Sequence, residues 1–445
     1  MLTLLGVSMI ICFMYLIMSK KLSALVALTL IPFIFSIIAW LLGFHFESLS
    51  HIELVKLGEM MLDGIKKLAP TGIMLLFAIM YFALMIDSGL FDPFVNWILR
   101  CVKGDPIKIA IGTVILTMLV SLDGDGSTTY MICVTAMLPL YRRIGMNPLI
   151  MTALMILANG TMNIVPWGGP TARAASALHL DPSQIFIPML PTLIVVCLWL
   201  IFLAYIYGKF EKKRIGNIHE INTEENFNIS ISQHPDAKRP DLRKFNSILT
   251  LILMICLVLN VLPMSILFML GFCFALTVNY PCLEMQKQRI SLHANSALSV
   301  VGVIFAAGIF TGILTGTGMV EAMSHGFTSI IPPSMGPYMA PITAMLSLPL
   351  TFFMSNDAFY YGVLPILSET ASSYGITPLE IARASLIGQP VHVLSPLVPS
   401  TYLLCGLASV EFSEHQKFTI RWAILTCLIF LTTALIFGIF PFFNI

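Results

Sequence analysis

Ser121-Leu122-Asp123-Gly124-Asp125-Gly126-Ser127-Thr128-Thr129-Tyr130 interrupts an apolar stretch that runs from residue 109 to residue 140. Two carboxylates, two glycines and a run of hydroxyls stand between short hydrophobic arms, and no Lys or Arg lies between Lys108 and Arg142. That lack of basic residues speaks against an ordinary loop at a membrane surface. In hydrocarbon, an irregular polar backbone survives only where protein or a water-filled cavity surrounds it. Residues 109–140 are therefore predicted to form a re-entrant hairpin, and residues 339–373 repeat the design around Ser355-Asn356-Asp357.

Working outward, the rest of the chain fits a membrane setting. Of 445 residues, 57% are hydrophobic and 11% charged, against about 25% charged in a soluble domain. The net charge of +1 gives no reason to expect a nucleic-acid partner. Cys12, Cys133, Cys197, Cys256, Cys273, Cys405 and Cys427 fall in apolar runs and no CxxC pair occurs, so the cysteines read as packing residues. A spanning helix needs about 20 mostly apolar residues. Such spans are predicted over 2–18, 22–43, 72–91, 148–166, 185–208, 246–262, 264–281, 296–315, 379–404 and 419–441. The first lacks a basic leader and a small-residue cleavage site, and Lys20-Lys21 follow it, so it reads as a retained span.

Residues 209–245 form the one long hydrophilic segment, a linker between two halves, 1–208 and 246–445. With that linker placed in the cytoplasm, and each hairpin returning to the side it entered from, 19 of the 24 Lys and Arg residues fall on the cytoplasmic side, as the positive-inside rule requires. Both termini are then extracellular. The expected fold is all-α: ten spans and two hairpins in an inverted-topology repeat in the inner (cytoplasmic) membrane, the usual plan of secondary carriers. A faint echo supports the repeat. At an offset of 230, Gly145 meets Gly375, Pro148 meets Pro378, Pro166 meets Pro396 and Thr171 meets Thr401.

The chemistry concentrates at the hairpins and at the spans that follow them, which break at 148–171 and 379–404. Glycines allow close backbone approach, and free N–H groups at a returning half-helix suit a carboxylate. Ser127, Thr128, Thr129, Asn163, Gly168, Gly169, Thr171, Ser355, Asn356, Ser400 and Thr401 are the candidate donors and lining groups for an anionic cargo. Asp123, Asp125 and Asp357 are candidate hard-oxygen ligands for a cation or proton-titrating groups, and His392 is a candidate proton relay or a hydrogen-bonded packing residue. A calcium loop of the EF-hand kind is excluded, because Val134 stands where the twelfth-position Glu belongs. Arg173 reads equally as a fork for a carboxylate or as a snorkelling residue at the end of its span. Asp87 lies deep in an apolar run and needs a partner that the sequence does not name.

At LAPTGIMLLFAIMYF (68–82), SLDGDGSTTYM (121–131), NIVPWGGPTARAASALHL (163–180), SNDAFYYGVLPI (355–366) and GQPVHVLSPLVPSTYLL (388–404) the chain resembles the citrate–metal–proton symporter family, CitMHS, over nearly its whole length. The resemblance implies uptake of citrate complexed with Mg2+ or Ca2+ and driven by protons, with the metal travelling as cargo and no permanently bound cofactor. Through the wider ion transporter superfamily it also implies a homodimer and an elevator-type movement. Two other readings are weighed against it. One is a carrier of the same fold for another carboxylate or organic anion, or one coupled to Na+. The other, from a different class, is an intramembrane aspartyl protease using Asp125 and Asp357, which has no need of an inverted repeat.

Overall fold

The computed structural model describes residues 2–19, 21–41, 54–102, 104–124, 126–216, 235–259, 261–330 and 334–443, and among them there are helices and no strands. Helices α1 (Leu2–Met18) and α2 (Ala24–Leu41) lead into the 34-residue α3 (Leu54–Asp87) and the short α4 (Asp92–Val102). The first hairpin follows as α5 (Pro106–Val120), a 3-10 turn at Ser121–Asp123, and α6 (Gly126–Ile144). Next come α7 (Pro148–Met162), α8 (Gly169–Ala177), α9 (Pro182–Phe186) and α10 (Leu190–Ile215). The second half keeps the order: α11 (Arg243–Val258), α12 (Met264–Asn279), the 34-residue α13 (Leu283–Gly316) and α14 (Met319–Ile330). A hairpin of α15 (Met339–Phe353) and α16 (Leu364–Ser372) then carries a π-helical segment, Ala358–Val363, just ahead of α16. The chain closes with α17 (Pro378–Ser385), α18 (Gln389–His392), α19 (Pro399–Ala408) and α20 (Phe412–Ile436).

Among the described residues six helical stretches are long and apolar enough to cross a membrane: Ala24–Leu41, Lys56–Asp87, Pro106–Asp123, Pro182–Ile215, Leu283–Gly316 and Phe412–Ile436. Leu2–Ile17, Pro148–Met162 and Met264–Asn279 are shorter apolar helices. The span expected over 72–91 proves to be the C-terminal part of α3, which starts at Leu54 and runs through Pro70. Its first turns escaped notice because they are amphipathic. Leu57, Gly64 and Leu68 are buried while Glu59, Asp63, Lys66 and Lys67 are exposed, so the segment lacks the continuous apolar run that marks a span.

The buried face of α3 lies on α13, and glycines set how close the two come. A Cβ on Gly64 would overlap the carbonyl of Gly308, and one on Gly312 would overlap the carbonyl of Met60. Small residues permit such close crossings in membranes, where dispersion contacts replace the hydrophobic drive between helices. At about 1.5 Å rise per residue each of these helices exceeds a hydrocarbon core of about 30 Å, so they are either tilted or project beyond it.

Local bonding recurs at the offset of 230. Gly145 and Gly375 take left-handed φ values of +74° and +75° after the second hairpin arms. Met146 N–H then donates to the Tyr141 carbonyl at 2.8 Å, and Ile376 N–H to the Ala371 carbonyl at 3.2 Å. The same C-terminal stop, the turn that only a glycine adopts without strain, is thus built twice. Asn147 caps α7 through the Leu149 N–H, and Thr377 caps α17 through the Glu380 N–H in a capping box, each ahead of a first-turn proline.

Both ends of the hydrophilic segment expected over 209–245 pack against or continue the helices. Helix α10 continues to Ile215, α11 begins at Arg243, and residues 217–234 lie outside the described residues. Lys238 Nζ reaches Asp92 Oδ2 at 2.8 Å, Arg239 N–H donates to the Ser88 carbonyl at 3.1 Å, and the Tyr280 hydroxyl donates to the Ala237 carbonyl at 2.7 Å. Asp87 finds the partners that the sequence withheld: Arg289 at 3.2 Å and His293 at 2.8 Å, both from α13.

Candidate functional site

The turn of the first hairpin is made by Gly124, at φ +79°, whose N–H donates to the Ser121 carbonyl at 3.1 Å. It rests on the first broken helix. Trp167 Nε1 donates to the Leu122 carbonyl at 2.8 Å, and the indole stacks on Phe82 at 5.5 Å and meets Phe268 edge-on at 5.1 Å. Within the turn, the Thr129 hydroxyl donates to Asp123 Oδ1 at 3.3 Å, and both side chains are buried. Ser127 and Thr128, half-buried, lie in the first turn of α6. The same tip also faces the second break, for a Cβ on Gly126 would lie 3.2 Å from Ser400 Oγ and 3.5 Å from Asn159 Nδ2. Asp125, the remaining candidate in this loop, lies outside the described residues.

Both spans after the hairpins are broken. Helix α7 stops at Met162 and α8 begins at Gly169. Between them the chain turns so tightly that a Cβ on Gly168 would overlap the Asn163 carbonyl, and Asn163 is half-buried beside the turn. The Thr171 hydroxyl donates to the Ile164 carbonyl at 2.7 Å, giving a partner to a carbonyl that the helix end leaves free. In the second half the Thr401 hydroxyl does the same for the Val393 carbonyl at 2.5 Å. Both hydroxyls are thus spent on the breaks themselves. His392 Nδ1 sits 2.7 Å from the Thr351 carbonyl, which only accepts, so Nδ1 carries a hydrogen and donates it there. The Ser395 hydroxyl donates to the Phe352 carbonyl at 2.6 Å, tying this break to the end of α15.

The tip of the second hairpin clasps both broken helices. Ser355 Oγ accepts from the Ala358 N–H at 3.2 Å and caps the returning arm. Asn356 Oδ1 accepts from Gln389 Nε2 at 3.4 Å, and Gln389 Nε2 also donates to the Tyr360 hydroxyl at 2.9 Å. On the other side Asp357 Oδ1 accepts from Arg173 Nε at 2.6 Å, and the Tyr361 and Ser176 hydroxyls meet at 3.0 Å. Asn356 and Tyr360 therefore reach the second break, while Asp357 and Tyr361 reach α8. The π-helical turn among them widens the local geometry, a departure that recurs at functional sites. Arg173 does not snorkel: its guanidinium is an ion-pair partner with the side chain 23% exposed.

Asp123 and Thr129 thus lie together, Ser400 lies against the first hairpin tip, and Asn356 and Asp357 join the second tip to the two breaks. Sequence reasoning left out Asn159, Gln389 and Trp167 as members of the site. The two amides stand at the same offset of 230, which was the available signal. Among the described residues no three His, Cys, Asp or Glu side chains gather as ligands for a metal ion.

Two helical hairpins whose tips meet two broken helices, inside a bundle of long apolar helices, define a multi-pass membrane transporter. The fold is that of the Alcanivorax borkumensis YdaH transporter, with a TM-score of 0.59 at 13% identity over 88% of this chain and 90% of that one. It is equally close to Neisseria gonorrhoeae MtrF, with a TM-score of 0.61 at 12% identity over 87% of this chain and 84% of that one. The chain belongs to the CitMHS citrate transporter family, whose profile matches residues 4–388. It is similar to two Bacillus subtilis (strain 168) proteins: a citrate transporter, 56% identical over 99% of this chain and all of that one, and a Mg(2+)/citrate complex secondary transporter, 51% identical over 98% and 99%. An uncharacterized transporter of the same organism, YraO, is 46% identical over 98% and 99%. The family is one of transporters rather than enzymes, so the protease reading falls.

Proposed function

We propose that this chain is a secondary active importer of citrate, taken up as its complex with Mg2+ or Ca2+ together with protons. The observation that carries this reading is 51% identity, over 98% of the chain, to a protein described as a Mg(2+)/citrate complex secondary transporter. The chemistry of the site agrees. A metal–citrate complex needs hydroxyl and amide donors for its carboxylates and oxygens for its cation, and both kinds of group occur at the hairpin tips: Ser127, Thr128 and Asp123, with Ser400 facing them, at the first, and Asn356 and Asp357 at the second. Citrate brings ligands to its own metal, so the protein needs only to complete the shell.

In this reading 1–208 and 246–445 are inverted repeats joined by a cytoplasmic linker at 209–245, both termini face outward, and the protein works as a homodimer in the cytoplasmic membrane. The hairpins and broken helices move as a unit against the others. Asp123, Asp125, Asp357 and His392 are the groups through which protons or the cation couple to cargo.

The test is uptake of labelled citrate into proteoliposomes under an inward proton gradient, comparing Mg2+, Ca2+ and a chelator. Uptake that requires both a metal and the proton gradient is the expected result. Uptake undiminished by chelator, or driven by a sodium gradient alone, overturns the cargo or the coupling.

A further inference from the structure

Arg173 is held by one nitrogen of its guanidinium. A guanidinium offers five N–H donors, and paired Nη groups form the fork that grips a carboxylate bidentately. In this protein only Nε is engaged, by one oxygen of Asp357 at 2.6 Å. Nη1 lies over the first residue of α8, where a Cβ in place of Gly169 would sit 2.7 Å away. The glycine thus keeps that side of the fork clear. Neither side chain is sealed, being 23% and 17% exposed. Among the ion pairs of the described residues this one alone joins the second hairpin tip to a broken helix.

We propose that Arg173 is a cargo-binding residue, that its Nη fork takes a carboxylate of the cargo, and that Asp357 is an internal placeholder which the cargo displaces. This rests on the carboxylate-carrier reading and adds a reason for metal selection. Free citrate carries three negative charges, and binding a divalent cation removes two. The displaced Asp357 carboxylate takes up one of the co-transported protons, so the one guanidinium it releases matches the single charge that remains. Bringing the free trianion to the same guanidinium leaves two charges unmatched at a poorly solvated site, which is strongly disfavoured. The placeholder keeps the arginine neutralised when no cargo is present, and its removal by cargo frees the second hairpin tip from α8.

The proposal is tested by equilibrium binding of labelled citrate to purified protein in detergent, with excess Mg2+ or with chelator. Thermal melting is followed in parallel. Asp357→Asn removes the competitor, so Mg2+–citrate is expected to bind about tenfold more tightly, within the usual range of coupling between sites. The same variant should melt lower than wild type without cargo and gain more from adding it. Arg173→Gln should lose binding at least tenfold. The double variant carries no unpaired charge and should melt near wild type while still failing to bind. Asp357→Asn binding no tighter than wild type overturns the placeholder, and wild-type affinity in the double variant overturns the fork. Wild-type protein that binds citrate neither with nor without Mg2+ overturns the metal–citrate cargo on which the proposal rests, a result separable from the other two.

Discussion

Gly160 packs against Pro390, the residue that stands 230 positions further along the chain. A Cβ on Gly160 would lie 3.1 Å from the Pro390 Cα, 2.8 Å from Val393 Cγ2 and 3.3 Å from the Gln389 carbonyl oxygen. The two broken helices therefore cross at matching positions. On either side of the crossing stand the amides of Asn159 and Gln389, both buried.

Gly160→Val should therefore force the crossing apart. Overpacking of this kind costs about 1–3 kcal/mol, and the expected result is a lowered melting temperature and loss of transport in protein that still reaches the membrane. Gly58→Ala, on α3 with nothing near its Cβ position, should leave both unchanged. Melting in detergent and proteoliposome uptake measure the two effects.

Thr171→Val and Thr401→Val keep shape and remove the hydroxyl bonded to Ile164 or Val393. Each leaves a backbone carbonyl without that partner inside the protein, at a cost of about 1–3 kcal/mol. Thermal melting should fall for both variants and recover in Thr→Ser at either site.

Trp167→Phe retains the ring against Phe82 and Phe268 but loses the bond to the Leu122 carbonyl. A drop of about 1 kcal/mol is expected. Because the bond steadies the turn that carries Asp123, hydrogen exchange across 121–129 should rise while α13 keeps its protection.

Asp92 anchors the segment that leads into α11 through Lys238 at 2.8 Å and Arg243 at 3.5 Å, with its own side chain buried. Lys238 and Arg243 are partly exposed, so their pairing with Asp92 is screened and its loss costs about 1 kcal/mol. Asp92→Ala should accordingly release residues 235–242 to limited proteolysis under conditions where wild type resists cleavage there.

Asp123→Asn and Asp125→Asn test the first hairpin as a cation or proton site without changing side-chain volume. Each is expected to abolish metal-dependent citrate uptake. Unchanged uptake in both would confine the coupling to the second hairpin.

Much of the architecture was legible in the chain. Polar clusters between short apolar arms at 109–140 and 339–373 correspond to helix–turn–helix hairpins with turns at Gly124 and at Met354–Ser355. Pro-Trp-Gly-Gly-Pro at 166–170 and Pro396 with Pro399 correspond to the breaks. Proline and glycine act through the backbone of their own turn, so their effects can be read locally. The N-terminal half of α3 was missed because its apolar positions form only one face, and that face has meaning only against α13.

What the sequence by itself determined is thus the class of protein: apolar lengths that only a bilayer satisfies, hairpins and breaks punctuated by Gly and Pro, and long runs shared with a citrate transporter family. What only the tertiary structure decided is which groups meet. Arg173 and Asp357 are 184 residues apart, Asp87 is 202 from Arg289 and 206 from His293, and no local pattern names such partners. A charge in low dielectric must find a countercharge, but which one it finds depends on how the helices cross, and the crossings are set by close contacts such as Gly160 on Pro390 and Gly64 on Gly308.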